Sequence, residues 1–372
     1  MNKIHILHCC GTMNVGGAET MVMNWYRNID REKFVFDFLV FSKDKGVFDD
    51  EIVSLGGKVY YAPSLGEAGF IGYLRNLVKV LKEIPKIHVI HSHMDWQGGF
   101  IAFAAYLAGI KSRVVHSHAM QEMFQANTLY HFIIKMGKFL IRLFATDRLC
   151  CSEAAGKSLF EKKEFAVIKN AIDLDKFKEI DLAERNQLRA QYHIAKEDFV
   201  LGCVGSISEN KNQIFLLQLL KNLEYDIKLV LVGQGRMEQT LKEKAKEFGL
   251  EERVIFTGLQ ENVPKFASMF DLFVFPSKRE GLGIVAVEMQ ALGIPCIISE
   301  GVPREVDMGL NLVEQISVNS SDRWIEAIRE IEKAPSKRGD CRLRIKKIQQ
   351  QGYEIKESVK RLEEIYYRSK GE

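Results

Sequence analysis

Short apolar runs alternate with stretches of helical period along this chain in two separate series, and no other feature narrows its possible folds as much. The first series opens with a strand over Lys3–Cys10, a glycine-containing loop over Gly11–Gly17 and a helix over Ala18–Arg27. Further strands are expected at Phe34–Phe41, Lys58–Tyr61, His88–His91 and Arg113–His116, with helical stretches such as Tyr73–Lys82 and Phe100–Leu107 between them. The second series begins near Asp198. It runs through the strand Phe199–Val204, the helical Gln213–Asn222 and the strand Lys228–Val232, which ends in Gly233-Gln234-Gly235. Val254–Phe256, Leu272–Phe275 and Cys296–Ile298 continue it. Continuously apolar strands separated by helices pair in parallel and are covered on both faces. The expected fold is therefore α/β, with two Rossmann-like, doubly wound domains in tandem. In such sheets ligands sit beyond the carboxyl ends of the strands, so a central cleft faced by both domains is the expected site.

A chain of 372 residues is long enough for two domains, and 47% hydrophobic against 27% charged residues can fill two cores. Between the series, Asp173–Asp198 is polar and charge-dense and reads as a linker. The last forty residues are helical and rich in lysine and arginine, with no further strand. The 52 basic and 49 acidic residues leave a net charge of +3, too small an excess to argue for a nucleic-acid partner. Seven cysteines, with Cys9–Cys10 and Cys150–Cys151 adjacent and no CxxC spacing, read as reduced, buried thiols of a cytoplasmic protein. Met1-Asn2-Lys3 runs straight into an apolar strand rather than a secretory leader. The longest nearly uncharged stretch, Gly98 to Ile110, is too short to span a bilayer, so any membrane contact is expected to be peripheral, on the inner face.

Four constellations could carry chemistry. The loop Gly11-Thr12-Met13-Asn14-Val15-Gly16-Gly17 precedes a helix N-terminus, where close backbone approach and the helix dipole favour an anion. It matches neither GxGxxG nor the Walker pattern, and a tight turn alone would explain it equally well. Two His-Ser-His triplets, His91–His93 and His116–His118, close neighbouring strands, where residues two apart share a face. A metal site is conceivable there, but a metal hydrolase would need placed carboxylates that the sequence does not identify. One histidine reaching into the cleft as a hydrogen-bonding or acid/base group is the preferred reading.

The sharpest signal is Pro276-Ser277-Lys278-Arg279-Glu280-Gly281-Leu282-Gly283-Ile284-Val285-Ala286-Val287-Glu288. A strand delivers a glycine-flanked loop, and a helix begins near Gly283. Backbone N–H groups at Gly283 and Ile284 could bind a phosphate between Glu280 and Glu288. Carboxylates so placed can accept hydrogen bonds from a hydroxyl-rich ligand. The simpler account is a helix-terminal carboxylate favoured by the dipole together with a solvated Glu288, although the apolar neighbours of Glu288 argue against solvation. Lys211 follows the turn Gly205-Ser206-Ile207-Ser208-Glu209-Asn210, again between strand and helix, where a lysine can neutralise phosphate.

Together these segments resemble the retaining GT-B glycosyltransferases of group 1, family four, of the type that builds capsular and exopolysaccharides. The resemblance lies in Asn14-Val15-Gly16-Gly17-Ala18-Glu19-Thr20, Val167-Ile168-Lys169-Asn170-Ala171-Ile172-Asp173, Val230-Leu231-Val232-Gly233-Gln234-Gly235 and the Glu-x7-Glu element Glu280–Glu288, in family order across most of the chain. It implies transfer of a hexosyl or N-acetylhexosaminyl group from a nucleotide sugar, UDP-linked by preference, to a glycan or lipid-linked acceptor, with retention and without a metal or other cofactor. It implies an acceptor-binding domain over 1–172, to which a helix over 353–372 returns, and a donor-binding domain over 173–352. By position, Glu288 resembles the carboxylate that holds the donor ribose, and Glu280 the one that contacts the donor sugar. Gly16 and Gly17 match the loop that approaches the diphosphate. Lys211 matches the cation that stabilises the leaving phosphate, assisted by the amides of Gly283 and Ile284, and Ser206, Gly281 and Leu282 count among the donor-binding residues that the resemblance implies. His118 aligns better than His116 with the family's cleft histidine. The chain departs from the family in having Ser206 where an arginine is usual, which leaves Lys211 as the main cation unless Arg279 substitutes.

Two basic helices bear on the acceptor. His131–Phe144 places Lys135, Lys138 and Arg142 on one face, and Tyr73–Lys82 does the same with Arg75, Lys79 and Lys82. Both read either as ordinary packed amphipathic helices or as a footing on an anionic membrane near a lipid-linked acceptor. Two rival functions fit the same architecture: a nucleotide-sugar 2-epimerase, and a non-catalytic sugar-nucleotide-binding subunit, which the Ser206 departure would suit. An NAD-dependent enzyme is disfavoured by the missing GxGxxG.

Overall fold

The computed structural model describes residues 3–118, 128–177, 180–334 and 339–368, and the chain divides into two compact units. One unit runs to Ala171 and resumes at Tyr353; the other spans Ile172–Gly352.

The first unit is built on a seven-stranded parallel sheet: β1 (Ile4–Cys10), β2 (Phe34–Val40), β3 (Val59–Tyr61), β4 (Val89–Ser92), β5 (Ser112–Ser117), β6 (Asp147–Cys150) and β7 (Ala166–Val167). The spatial order β3-β2-β1-β4-β5-β6-β7 reverses direction between β1 and β4, which makes that gap the topological switch point. The register pairs His8 of β1 with His91 of β4. Phe34, Phe36 and Phe38 of β2 project into a core that also takes Trp25 of the helix Gly17–Asn28. The C-terminal helix Ile355–Arg368 completes this core with Ile355, Val359, Leu362, Ile365 and Tyr366, and Trp25 Nε1 donates to Ser358 Oγ at 3.0 Å. Residues 369–372 of the helix expected from the sequence lie outside the described residues. On the other face, the helices Gly98–Leu107 and Thr128–Phe144 meet backbone to backbone, since a Cβ on Gly99 would stand 2.0 Å from the Gly137 carbonyl oxygen.

The second unit carries six parallel strands: β8 (Phe199–Val204), β9 (Ile227–Val232), β10 (Val254–Gly258), β11 (Leu272–Phe275), β12 (Cys296–Ile298) and β13 (Val313–Gln315). Their order, β10-β9-β8-β11-β12-β13, puts the switch point between β8 and β11. Two parallel, doubly wound α/β sheets are thus present, as the alternation of strand and helix requires.

Three expectations need correction. Asp173–Asp198 is not a linker: it folds into the short turn of helix Leu174–Lys176 and the helix Leu182–Gln191 of the second unit. Arg189 is buried there, donating to the Met269 carbonyl at 3.0 Å and to Asp271 Oδ2 at 2.6 Å, so its charge serves packing rather than solvation. Second, the strands β6, β7 and β13 went unread, because each is four residues or fewer and half polar or half exposed. Third, the basic face of the helix Thr128–Phe144 loses Lys138. Its ammonium donates to the Ser158 carbonyl at 2.7 Å and lies 3.9 Å from Glu161, because its place on the helix turns it toward the neighbouring helix Glu153–Phe160.

All seven cysteines are unpaired and six are buried. Among the described residues no helix is long and apolar enough to cross a membrane.

Candidate functional site

At the second unit's switch point, two strand ends deliver two loops that are stitched together. β8 is followed by Gly205 at φ +140°, and a Cβ on the facing Gly233 would lie 2.1 Å from the Gly205 carbonyl oxygen. Only glycines allow the two turns this approach. From β11 the chain enters Pro276–Gly283. Lys278 N donates to Asn210 O at 2.8 Å, and Asn210 Nδ2 returns a hydrogen bond to Arg279 O at 2.8 Å. Glu280 N is tied to Gly301 O at 2.8 Å.

These ties bring Lys211 and Glu280 together: Nζ and Oε1 are 2.6 Å apart, with the ammonium 4.9 Å from the Phe275 ring centroid. Ser206 is exposed on the same loop, and its carbonyl accepts from Gln213 Nε2 at 3.0 Å. Gly283 adopts the left-handed conformation, φ 83° and ψ 47°, and opens the helix Ile284–Ala291 with Leu282 buried beneath it. The first turn of a helix leaves its N–H groups without intrahelical acceptors and carries the positive end of the dipole. Gly281 and Ile284 are half-buried beside it. Glu288, one turn further, keeps some exposed surface. Even so, desolvation by the surrounding protein raises its pKa to about 7, against the opposing pull of Lys176. A cation, a set of helix-terminal amides and two carboxylates are thus assembled on one unit, which suits a ligand carrying both phosphate and hydroxyl groups.

The first unit contributes a separate constellation at its own switch point. Gly16 caps the helix Gly17–Asn28 in extended conformation, and a Cβ on Gly17 would meet nothing within 4 Å, so the backbone there is open to approach. Beside it, five histidines gather at the ends of β1, β4 and β5. His8 Nδ1 lies 2.9 Å from His93 Nε2, and His93 Nδ1 lies 2.8 Å from His118 Nε2. A parallel chain runs from His116 Nδ1 to His91 Nε2 at 3.2 Å and from His91 Nδ1 to Tyr366 OH at 2.7 Å. Burial pushes the pKa of His8 and of His118 down to about 3 and those of His91, His93 and His116 well below the usual range, mutual repulsion adding to the last three. His116 is fully buried, whereas His118 keeps an exposed edge and its backbone N–H donates to Asp95 Oδ1 at 3.1 Å. Sequence reasoning missed His8 and Tyr366. His8 carried a usable signal, since it sits on the first strand as His91 sits on the fourth.

The donor sets His8/His91/His93 and His93/His116/His118 each place one nitrogen per residue within 4.8 Å of the others. Two imidazole nitrogens on one tetrahedral ion stand about 3.3 Å apart, given bonds of ~2.0–2.1 Å. The 2.8–2.9 Å contacts are instead those of a shared proton, and the His116 and His118 rings lie nearly parallel at 10°, so their lone pairs do not converge. The cluster is built as a hydrogen-bonded network.

Arg75 and Lys79 are exposed on the helix Leu65–Glu83, Lys79 lying 3.9 Å from Glu83, and Lys135 and Arg142 are exposed on Thr128–Phe144.

Two doubly wound parallel α/β domains in tandem are the architecture of the GT-B class. The model for group 1 glycosyl transferases matches residues 184–348, and that for glycosyltransferase family 4 matches residues 15–176. EpsF of Bacillus subtilis (strain 168), named as a glycosyltransferase, is 38% identical over 97% of this chain and 96% of its own. The capsular polysaccharide biosynthesis glycosyltransferase CapH of Staphylococcus aureus is 26% identical over 77% of this chain and 78% of its own. The crystal structure of Anabaena HepE in complex with UDP is 21% identical, superimposes with a TM-score of 0.80 and covers 99% of this chain and 100% of that one. The chain belongs to the group 1, family 4 glycosyltransferases.

Proposed function

We propose that this protein transfers a hexosyl or N-acetylhexosaminyl group from a UDP-sugar to a lipid-linked glycan acceptor during capsule or exopolysaccharide assembly. The observation that carries this reading is the Lys211–Glu280 pair set beside the helix amides at Gly283 and Ile284, with Glu288 one turn beyond. In it, the second unit holds the donor: the Glu288 carboxylate accepts the ribose hydroxyls, the amides and Lys211 take the diphosphate, and Glu280 accepts sugar hydroxyls. As the glycosidic bond breaks, negative charge grows on the leaving diphosphate, and a fixed ammonium and aligned N–H dipoles lower that barrier without a metal ion. Glu280 holds Lys211 in place.

The first unit binds the acceptor in this reading, and His118 meets the donor sugar. The helix Thr128–Phe144 supports a membrane-anchored acceptor: Phe132, Phe139 and Leu143 are exposed on the side that carries Lys135 and Arg142. Apolar side chains flanked by cations suit the headgroup region of an anionic bilayer on the cytoplasmic side. The relatives named above are glycosyltransferases, which leaves the epimerase alternative without support.

The test is turnover of UDP-sugars against undecaprenyl-diphosphate-linked acceptors, with and without EDTA, and the product anomer read by NMR. Transfer that survives EDTA and keeps the donor's anomeric configuration is expected. Nucleotide-sugar binding without transfer to any acceptor would move the protein to the non-catalytic alternative.

A further inference from the structure

Two helices of the first unit carry a glutamate at their third position, and the fold treats the two differently. Glu67 of the helix Leu65–Glu83 closes a capping box: its Oε2 accepts from Ser64 N at 3.1 Å, while its Oε1 pairs with Lys43 at 2.8 Å. The Lys43 ammonium, helped by the Ser64 groups, holds that carboxyl down to a pKa of about 2. Glu19 of the helix Gly17–Asn28 has no such support. Among the described residues its carboxylate makes no ion pair and no hydrogen bond to another residue, so the box with the cap, Gly16, is not formed. Burial pushes its pKa up, against the pull of its own backbone N–H.

The carboxylate nevertheless has a definite place. A Cβ on Gly16 would collide with Glu19 Oε2, and the three nearest atoms it would meet all belong to that carboxyl. The Cys10 thiol, raised first by burial, is raised further by the Glu19 charge, which sets the group at the carboxyl end of β1, beside the switch point. Next to it, a Cβ on Gly17 would meet nothing within 4 Å. A half-buried carboxylate whose desolvation no partner offsets weakens the fold, and such groups gather where a ligand completes them. It repels phosphate and can accept hydrogen bonds from hydroxyl groups. A metal ion would need several further ligands, and the metal-sized clusters among the described residues do not include Glu19. We propose that Glu19 is an acceptor-binding residue whose carboxylate receives a hydroxyl of the acceptor sugar, and that position 16 is glycine because any side chain there would displace that carboxylate. The role rests on the reading of the first unit as the acceptor-binding one.

The experiment measures transfer from a UDP-sugar to undecaprenyl-diphosphate-linked acceptors by the full chain as wild type, Glu19→Ala, Gly16→Ala and the double variant, with a thermal melt of each. Glu19→Ala should raise acceptor KM about 10- to 100-fold, the worth of one hydrogen bond to a charged group, without raising donor KM. Its melting temperature should not fall, because the side chain ties nothing together. Gly16→Ala should also raise acceptor KM in the wild type, yet add less than about twofold once Glu19→Ala has removed the carboxylate. An unchanged acceptor KM in Glu19→Ala, or a Gly16→Ala effect that persists undiminished in the double variant, would overturn the proposal. So would a lowered melt with acceptor KM intact, which would make Glu19 a helix-capping residue. Glu19→Ala decides even if Gly16→Ala does not fold. Absence of transfer by the wild type to any acceptor would remove the reading of the first unit, and this role with it, a result told apart by the wild type alone.

Discussion

The Lys211 ammonium and the Glu280 carboxylate are 2.6 Å apart, joining residues 69 positions distant in sequence, and both side chains are mostly buried. Each therefore holds the other's side chain in place. Removing either partner leaves the other as an uncompensated, partly buried charge. Lys211→Met should lower kcat about 100- to 1,000-fold, the size expected on removing one stabiliser of developing charge. The fall should appear in kcat rather than in donor KM, because the demand on the ammonium peaks as the diphosphate leaves. Release of UDP followed under saturating donor checks it. Equal losses in Lys211→Met and Lys211→Arg would show that position rather than charge is what matters.

Glu288 makes donor affinity depend on pH. Burial raises its pKa to about 7, so at pH 6 most of the side chain is protonated and accepts ribose hydroxyls poorly. UDP affinity should rise with pH through about 7 and then level off, and Glu288→Gln should abolish the rise. Stability moves the other way. A carboxyl whose folded pKa exceeds its unfolded value binds more protons when folded, so the folded state loses stability as pH rises from about 4.5 to about 7. Glu288→Gln should therefore match the wild type at pH 4.5 and be more stable at pH 8, by about 1–3 kcal/mol. Urea melts at the two pH values measure the difference.

Much of this was legible beforehand because its causes are local. Apolar runs such as Phe199–Val204 and Leu272–Phe275 became strands with those boundaries, since a parallel strand buried on both faces needs continuous apolar sequence. The loop after β11 was readable because Gly283 stands where a left-handed residue opens a helix. What stayed hidden depends on partners far away in sequence. Lys138 looked like a face-mate of Lys135 and Arg142, and only the helix packed beside it, with Ser158, turns it inward. Tyr366 gave no local sign of meeting His91, because the return of the C-terminal helix brings it there.

The inward turn of Lys138 separates two effects that the sequence merged. Lys135→Glu with Arg142→Glu should weaken sedimentation with anionic vesicles about 30-fold or more, taking roughly 1 kcal/mol for each cation near the surface. Phe132→Ser with Phe139→Ser should weaken it on neutral vesicles as well. Lys138→Ala should leave vesicle binding nearly unchanged and instead cost about 1 kcal/mol of stability, the usual worth of one hydrogen bond. Vesicle binding that is indifferent to the first two sets of substitutions would remove the membrane footing.

Asp271 should be the most sensitive charged position of the second unit. It stands at the foot of β11, where its Oδ2 accepts from Arg189 at 2.6 Å and from the Val200 backbone N–H at 2.8 Å, while Oδ1 pairs with Arg185. One carboxylate thus ties the helix Leu182–Gln191 to two neighbouring strands, β8 and β11. Asp271→Asn keeps the shape but removes the charge opposite two guanidinium groups, one of them buried. The loss should be about 3–5 kcal/mol, the range for breaking a buried pair from one side. Replacing Arg185 alone should cost less, because Arg189 and the Val200 amide still satisfy the carboxylate. A calorimetric scan of the three proteins tests the order. If Asp271→Asn melts with the wild type, the helix is held by its apolar contacts, and the charge density of this stretch would then be serving solubility alone.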